Sequence, residues 1–352
     1  MIYPTYQSYR DAWDRAALED PPVPLNVDIE LASTCNAKCT FCLYGDRDWF
    51  DAMKDKDWDG KTKKRFMPTE MARRIIDECA EIGVPALKMN FRGESTLHPD
   101  FSKIMHAARW GHIQDPKGWA AFGAFAGGNA GMSVFHDVLV NTNGNCPEKS
   151  LDGLMCATKV MVSLDSMDPV VYPKVRVGLS LEHAQQTIDE LVRRGHPNLW
   201  VRRVVCKSNK DEDFIGAVKA RWPKGVHTSE HFAFERNHYA QEEITGEDFT
   251  KWERRYCEYP SLRLVIEASG SYVPCCVAWE GEFYETGLPG RWPELSIMGY
   301  WNSDWRRNLV NELKANIFKN RKCQNCTTFM AYQRPEREFV SDREGKAELI
   351  RP

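Results

Sequence analysis

Residues 27 to 42 read VDIELASTCNAKCTFC, and this stretch decides the fold. Val27 to Leu31 alternates apolar and polar side chains, a pattern that predicts a β-strand. Directly after it, Cys35, Cys39 and Cys42 have the spacing C-x3-C-x2-C, with Phe41 before the last cysteine. Three thiolates on one short loop can bind three irons of a 4Fe–4S cluster and leave the fourth iron open. The alternatives are a zinc site with a distant fourth ligand, or three buried cysteines that only pack.

Predicted strands and helices alternate after this first strand. We expect strands at residues 86–91, 137–140, 159–164, 200–206 and 226–234, and helices at 69–82, 181–194 and 211–221. This alternation over roughly residues 25–235 predicts an α/β fold with a parallel sheet whose strand ends carry the site. Six β/α units are too few for a closed eight-stranded barrel, so we expect an open, partial (β/α)6 TIM-like barrel.

The composition restricts the class of protein. The chain has 352 residues with 47 Lys+Arg and 50 Asp+Glu, a net charge of −3, which makes nucleic acid an unlikely partner. The N-terminus has no basic segment followed by an apolar one, and the most apolar stretch, residues 119–126, is too short to span a membrane. Twelve cysteines without an export signal favour metal or redox chemistry over disulfides. We therefore expect a cytoplasmic protein with no membrane partner.

A second set of cysteines follows the alternating region. Cys257, Gly270 and Cys275 form a C-x12-G-x4-C pattern, and Cys323 and Cys326 form a CxxC pair. Two pairs in a segment with short predicted strands imply a four-thiolate metal site, for which zinc is the alternative metal. We expect an N-terminal extension (1–24), the barrel (25–235), a linker (236–250), a second metal domain (251–335) and a tail (336–352).

The first cysteine motif resembles that of the radical S-adenosylmethionine (SAM) superfamily, C-x3-C-x-aromatic-C at the end of the first strand. The resemblance implies that Cys35, Cys39 and Cys42 hold a 4Fe–4S cluster whose open iron binds the amino and carboxylate groups of SAM. It also implies that one electron from this cluster cleaves SAM to a 5′-deoxyadenosyl radical. Phe41 would lie near the adenine.

Later segments resemble the SAM-binding motifs of the same superfamily. Residues 90–99, NFRGESTLHP, are similar to its GGEPTLHP turn, although Arg92 replaces a glycine and is expected near the substrate. The resemblance implies that the backbone at Gly93 approaches closely and that Glu94 pairs with the SAM ammonium. Residues 140–144 (VNTNG), 162–166 (VSLDS) and 174–178 (KVRVG) resemble three further motifs. The SAM contacts implied by these three segments are Asn143, Ser163, Asp165 and Arg176.

Ordinary structure offers an alternative for each of these residues. Asn-Gly pairs are common turns, a Ser-x-Asp run often begins a loop, and most arginines are solvated. An Arg-Gly-Glu triplet is usually part of a surface ion pair. The order of the motifs along the chain favours the SAM-binding interpretation.

The second cysteine set resembles the C-terminal SPASM domain, and most closely its shortened form, called twitch. No cysteine follows Cys326, whereas a full SPASM pattern needs three more. The resemblance implies one auxiliary 4Fe–4S cluster held by Cys257, Cys275, Cys323 and Cys326, with no open iron. The spacing resembles that of an aminocyclitol dehydrogenase. The expected fold is thus a partial barrel followed by a small twitch domain.

The resemblance also implies a reaction, although no catalytic residue is assigned. Abstraction of a hydrogen atom, followed by loss of an electron to the auxiliary cluster, suits dehydrogenation of a sugar-like or aminocyclitol small molecule. Peptide crosslinking or epimerisation is the second expectation. The electron donor would be a reductase partner such as flavodoxin or ferredoxin. A non-catalytic iron–sulfur carrier and a zinc-stapled binding protein are alternatives of other classes.

Two features have weaker interpretations. Residues 114–132 are rich in glycine and alanine and are either a surface loop or a lid over the barrel mouth. Five cysteines lie outside both sets and are expected mainly to pack, although Cys276 adjoins a predicted ligand and is an alternate one. They are Cys79, Cys146, Cys156, Cys206 and Cys276.

Overall fold

The structure is a computed structural model that describes residues 2–16, 19–46, 66–111, 134–232, 253–254, 256–276, 278, 290–324, 326 and 332–333. The segment considered as a lid (114–132), the predicted linker (236–250) and the predicted tail (336–352) lie outside the described residues.

Eight strands form one open sheet, and two more form a separate pair. The strands are β1 (Asn26–Ile29), β2 (Ala86–Lys88), β3 (Asp137–Thr142), β4 (Lys159–Ser163), β5 (Leu199–Val205), β6 (His227–Phe232), β7 (Glu253–Arg254), β8 (Arg263–Ile266), β9 (Tyr272–Val273) and β10 (Tyr332–Gln333). The order in the large sheet is β6-β5-β4-β3-β2-β1-β8-β9, and β7 pairs with β10. Every neighbouring pair of the large sheet is parallel except β8 with β9. The end strands β6 and β9 do not pair in the described part, so the predicted open barrel is confirmed.

Helices connect the strands and cover one face of the sheet. They are α1 (Tyr6–Arg15), α2 (Thr69–Ile82), α3 (Phe101–Trp110), α4 (Leu151–Cys156), α5 (Tyr172–Val175), α6 (Leu181–Arg193), α7 (Phe214–Arg221), α8 (Tyr259–Leu262), α9 (Ile297–Trp301), α10 (Asp304–Lys314) and α11 (Arg321–Gln324). Their ends follow local signals. The Ser180 hydroxyl accepts the His183 N–H at 3.2 Å before α6, and Gly83 ends α2 with φ +82°.

The strands separate a buried apolar outer face from a concave face of mixed polarity. In β3, Val138 and Val140 are fully buried and pack in the main core with Ile104 of α3 and Ile188 of α6. The intervening side chains of β3, β4 and β5 are only partly buried, since burial alternates along each strand. The concave face is therefore the side of the sheet on which a ligand can bind.

Two segments outside the predicted barrel pack against it. Residues 6–15, within the expected N-terminal extension, form α1, and its Tyr9 packs with Ala86 and Leu262. Strand β8, expected in the second metal domain, pairs antiparallel with β9 and also in parallel with β1. The helices α3 and α4 were not predicted. Strand β2 ends at Lys88, three residues earlier than expected.

Candidate active site

The first cysteine set lies on the loop after β1, at the carboxyl ends of the parallel strands. Lys38 N donates to the carbonyl oxygen of Val177 at 2.9 Å, which fixes the loop against the segment after α5. Gly45 closes the loop, because a Cβ there would lie 2.2 Å from the carbonyl oxygen of Cys39. The loop therefore has a shape that backbone contacts impose.

The thiols of this loop lie close together, and their proximity contributes to the raised pKa of Cys35 and of Cys39. Burial and then the Glu94 carboxylate raise the pKa of Cys35, and Cys42 and Cys39 raise it further. Burial raises the pKa of Cys39 to about 11, although the Arg176 guanidinium lowers it. Metal ligation requires thiolates, so cluster loading at this loop would release protons.

The Gly93–Glu94 turn packs closely against the backbone that leads into the cysteine loop. Gly93 has φ +64°, and a Cβ on it would lie 2.3 Å from the Ala32 carbonyl oxygen and 2.6 Å from that of Thr34. Glu94 N donates to the Thr34 carbonyl oxygen at 2.8 Å. The turn after β2 thus rests directly on the strand end that leads into the cysteine loop.

The Glu94 carboxylate is buried and accepts hydrogen bonds at both oxygens. Thr96 Oγ1 donates to Oε1 at 2.7 Å, and Asn143 N donates to Oε2 at 2.7 Å. Burial raises the pKa of Glu94, and these hydrogen bonds lower it. The carboxylate lies between the cysteine loop and the turn after β3. Its pairing with a SAM ammonium stays a prediction.

Asn143 and Ser163 lie at neighbouring strand ends. Asn143 Nδ2 donates to Asn36 Oδ1 at 2.8 Å and lies 4.0 Å from Cys35 Sγ. Ser163 is the last residue of β4 and is in register with Arg202 of β5. The structure therefore joins Asn143 to the cysteine loop and places Ser163 on the concave face, farther along the sheet.

Asp165 and Arg176 form a buried ion pair beside the cysteine loop. Asp165 has φ +64°, unusual for a residue with a side chain, and its Oδ1 accepts the Val204 N–H at 2.6 Å. Arg176 Nη1 lies 3.3 Å from Cys39 Sγ, and the guanidinium lies 5.3 Å from the centre of the Phe41 ring. Asp165 thus orients an arginine against a predicted ligand.

The second cysteine set lies after β7 and around the β8–β9 hairpin. Burial raises the pKa of Cys257, and the thiols of Cys326, Cys323 and Cys276 raise it further. Cys275, which follows β9, is partly buried in the same apolar cluster as Cys257 and Cys323. All four predicted ligands are therefore in this region, and Cys276 lies beside Cys257 as well.

Gly270 of the C-x12-G-x4-C pattern has a steric role. It has φ +92°, and a Cβ on it would lie 2.5 Å from the Trp292 carbonyl oxygen. Trp292 Nε1 in turn donates to Glu78 Oε2 of α2 at 2.8 Å. The glycine allows the hairpin to pack against a segment that is attached to the barrel.

One apolar cluster contacts both cysteine sets, and we call it the shared apolar cluster. Its buried members are Leu43, Tyr44, Phe91, Tyr259, Val265, Val273, Ala278, Leu309 and Leu313. Cysteines packed against it are Cys35 and Cys42 from the first set, Cys257, Cys275 and Cys323 from the second, and Cys276. The packed side chains of the shared apolar cluster thus lie between the two cysteine sets.

The motif led us to expect Arg92 near the substrate, and the structure shows its guanidinium held by two buried carboxylates. Its side chain is 2% exposed and forms ion pairs with Glu30 (2.8 Å) and Glu267 (2.9 Å), whose side chains are fully buried. We call these three residues the Arg92 triad. Glu30 also accepts the Ala268 N–H at 3.1 Å. The sequence analysis did not identify Glu30 and Glu267 as partners of Arg92. The only hint in the sequence is that each is a charged residue directly after an apolar strand.

Both donor sets consist of thiols, which as thiolates are suitable ligands for iron–sulfur clusters. In the part of the chain that the structure describes, no three His, Cys, Asp or Glu side chains converge on one metal ion. A 4Fe–4S cluster does not need that convergence, because each thiolate binds a different iron. The cysteine loop, closed at Gly45 and lined by Arg176, fits the first cluster.

Among the described residues no helix is long and apolar enough to cross a bilayer.

Comparison with known proteins gives two family matches. Residues 29–220 match the model of the radical SAM superfamily. Residues 257–327 match the SPASM iron–sulfur cluster-binding domain. The first match covers more than half of the chain, and the second contains the C-terminal cysteine set.

Individual relatives are more distant. A probable GTP 3′,8-cyclase from Methanococcus maripaludis is 25% identical over 169 residues, which are 47% of this chain and 45% of the relative. A GTP 3′,8-cyclase from Haemophilus influenzae is 23% identical over 198 residues, which are 55% and 49%. The chain thus spans about half the length of these curated relatives.

Solved structures share the fold over almost the whole chain. Streptococcus suis SuiB bound to S-adenosylmethionine has a TM-score of 0.60 and 16% identity, and the match covers 92% of this chain and 76% of SuiB. BtrN in complex with AdoMet and 2-DOIA has a TM-score of 0.51 and 14% identity, covering 88% and 95%. The chain therefore belongs to the radical SAM superfamily, carries a SPASM-type C-terminal domain, and has SAM, a SAM-binding 4Fe–4S cluster and an auxiliary cluster as its cofactors.

Proposed function

We propose that this protein is a radical SAM enzyme that oxidises a polar, sugar-like or aminocyclitol small molecule by two electrons. The observation that carries the proposal is the shared apolar cluster, which contacts cysteines of both sets. Such packing supports an electron path between the sets. A two-electron oxidation needs an acceptor for the electron that the substrate radical loses, and an auxiliary cluster beside the first set would be that acceptor, whereas a redox-neutral rearrangement needs none.

The residues around the first set would hold the cofactors and exclude water. When bound, the cluster and SAM supply a 5′-deoxyadenosyl radical, which takes a hydrogen atom from a carbon of the substrate. Cys35, Cys39 and Cys42 are the proposed ligands. Arg176, held by Asp165, places a positive charge against Cys39.

The SAM contacts follow from the other strand ends. The Glu94 carboxylate and the Asn143 turn would bind the methionyl group of SAM. Gly93 has no side chain, so SAM could come close to the backbone there. Phe41 lies under Arg176 on the cysteine loop and is the proposed adenine neighbour. Ser163 and Asp165 follow on the next strand and complete the proposed set.

The concave face favours a substrate rich in hydroxyl or amino groups. Asn141 Oδ1 and Ser229 Oγ are buried atoms without a hydrogen-bond partner in the described part of the chain. Asn141 is one of the β3 residues that alternate onto the concave side of the sheet. Ser229 is in register with Arg202 of β5 and therefore lies on the same side of the sheet as Arg202. Buried polar atoms normally find partners, so these two sites fit polar groups of a ligand.

Peptide modification is the second candidate. It is favoured by the solved complex of SuiB with the precursor peptide SuiA, which shares this fold with a TM-score of 0.55. The same concave face would then receive an extended peptide segment.

The test is anaerobic turnover of the reconstituted protein with SAM and dithionite. Candidate substrates would include aminocyclitols, sugars, GTP and short peptides. We expect substrate-dependent 5′-deoxyadenosine together with a product that has lost two hydrogens, both measured by mass spectrometry. Deuterium from the substrate should appear in 5′-deoxyadenosine. A product of unchanged mass, or one formed only from peptides, would contradict the proposed oxidation of a small molecule.

A further inference from the structure

Backbone hydrogen bonds place Arg176 directly opposite Cys39. Lys38 N donates to the Val177 carbonyl oxygen at 2.9 Å. The N–H of the residue after Cys39 donates to the carbonyl oxygen of the residue before Arg176 at 3.2 Å. The cysteine loop and the segment after α5 thus run past each other in opposite directions, with Cys39 and Arg176 at the centre. The backbone itself fixes which arginine meets this thiol.

The Arg176 side chain is also held by an anchored carboxylate. Its Nε forms the buried ion pair with Asp165 Oδ2, and the other carboxylate oxygen accepts the Val204 N–H at 2.6 Å. Asn209 Nδ2 donates to the Asp165 carbonyl oxygen at 2.8 Å, so Asp165 is bound to β5 and to the turn after it. With Nε engaged in this way, Arg176 Nη1 donates to Cys39 Sγ at 3.3 Å.

The contact between guanidinium and sulfur is largely shielded from water. Arg176 is 8% exposed and Cys39 is 5% exposed. The guanidinium lies 5.3 Å from the centre of the Phe41 ring, which adds an aromatic neighbour on the same loop. A hydrogen bond from a cation is stronger in such surroundings than at a solvated surface. Arg176 is therefore a strong donor to a thiolate at Cys39.

We propose that Arg176 raises the reduction potential of the first cluster by donating a hydrogen bond to the Cys39 thiolate. This inference rests on the proposed function, in which Cys39 is a ligand of that cluster. The potential of a 4Fe–4S cluster depends on its net charge, its exposure to solvent and hydrogen bonds to its sulfurs. Reduction adds a negative charge, which a buried cationic donor on a ligand sulfur stabilises. Arg176 is thus a positioning residue that acts through Cys39 and makes the cluster easier to reduce.

The test is a redox titration of the reconstituted protein without SAM, followed by electron paramagnetic resonance. SAM is added afterwards to identify the signal of the first cluster, which is the signal that SAM changes. One variant is Arg176→Met. The second combines Arg176→Met with Asp165→Asn, which leaves no uncompensated buried carboxylate and keeps the local net charge. The matched control is Lys174→Met, which removes an exposed positive charge two positions from Arg176.

In both Arg176 variants we expect the ratio of reduced to oxidised first cluster at a fixed solution potential to fall about tenfold, which for a one-electron couple is a shift of about 59 mV to lower potential. In Lys174→Met the ratio should stay within about twofold of the parent, since solvent and salt screen an exposed charge. Unchanged potentials in the Arg176 variants would overturn the proposal, as would an equal shift in Lys174→Met. Loss of SAM affinity at an unchanged SAM-free potential would also overturn it, because Arg176 would then act only on SAM. A parent protein with no signal that responds to SAM would instead reject the proposed function itself.

Discussion

Glu94 combines burial, a carboxylate and several accepted hydrogen bonds, and substitution can separate these properties. Glu94→Gln keeps the shape and removes the charge. A charge-assisted hydrogen bond contributes about 1.5–3 kcal/mol, so we expect SAM affinity to fall by on the order of ten- to a hundredfold. Iron content should not change. Affinity would be measured by equilibrium binding, and iron by metal analysis.

The control for this substitution is Thr96→Val. It removes the hydroxyl that donates to Glu94 at 2.7 Å but leaves the carboxylate charge. If Thr96→Val weakens SAM binding as much as Glu94→Gln, the carboxylate acts only by holding the turn. If neither variant changes SAM affinity, Glu94 is purely structural.

The first cysteine set offers a second test at the scale of the residue. Replacing Cys35, Cys39 and Cys42 with alanine should remove one cluster, which corresponds to about four irons per chain. We expect no 5′-deoxyadenosine from this variant under dithionite. Cys79→Ala, which removes a fully buried core thiol, is the matched control and should retain both clusters. Continued SAM cleavage by the triple variant would contradict the assignment of these ligands.

Candidate ligands could be proposed from the sequence because the spacing within each motif is local. In the structure the cysteines of each motif lie close together, and Gly93 has φ +64°. Arg92 could not be placed in this way. Its partners, Glu30 and Glu267, are 62 and 175 positions away, and nothing near Arg92 in the chain indicates which carboxylates it meets.

At the scale of the element, the Arg92 triad joins the carboxyl ends of β1 and β8 to the turn after β2. Arg92→Met leaves two buried carboxylates without their cation. Breaking a buried ion pair typically costs about 3–5 kcal/mol, and we expect a loss of that size in the free energy of unfolding. Adding Glu30→Gln and Glu267→Gln to Arg92→Met should restore much of it. Chemical denaturation of all variants gives the comparison, and an unaffected Arg92→Met would show that the triad does not stabilise these strand ends.

Strand and helix predictions succeeded where periodicity was strong and failed where tertiary contacts decide. The strands β3 to β5 and the helices α2 and α6 were predicted within a few residues, since their apolar side chains recur at the expected period. Strand β6 was also predicted within a few residues, although its sequence HTSEHF has no such period. Helix α1 has a polar sequence and is stabilised by packing against Ala86 and Leu262. Strand β8 is short and gave no signal that its partner would be β1.

At the scale of the whole molecule, the two cysteine sets should have separable roles. Cys323→Ala combined with Cys326→Ala should leave SAM cleavage detectable but block the oxidised product. The reason is that only the first set has an open ligand position, whereas the second supplies four thiolates. The measurements are 5′-deoxyadenosine and oxidised product from the same reaction.

Folding must be verified first, because structural metals can hold small domains together. Circular dichroism and a melting curve serve that purpose. A folded variant that keeps the first cluster and still forms the two-electron oxidised product would refute the electron-acceptor role. Formation of 5′-deoxyadenosine alone would favour oxidation over a redox-neutral epimerisation.

The pairing of β1 with both β2 and β8 has a consequence for biosynthesis. One edge of β1 pairs with a strand that lies about 60 residues later, and the other with a strand about 240 residues later. At ~5–20 residues per second, a ribosome needs on the order of ten to fifty seconds to extend the nascent chain from β1 to β8. During that time β1 can pair with β2 but not with β8, so the cysteine loop follows a strand with one unpaired edge. Arg92 also lacks its partner Glu267. We therefore expect iron delivery to the first set to follow the synthesis of β8, and a translational stall before residue 263 to leave a metal-free, chaperone-bound nascent chain.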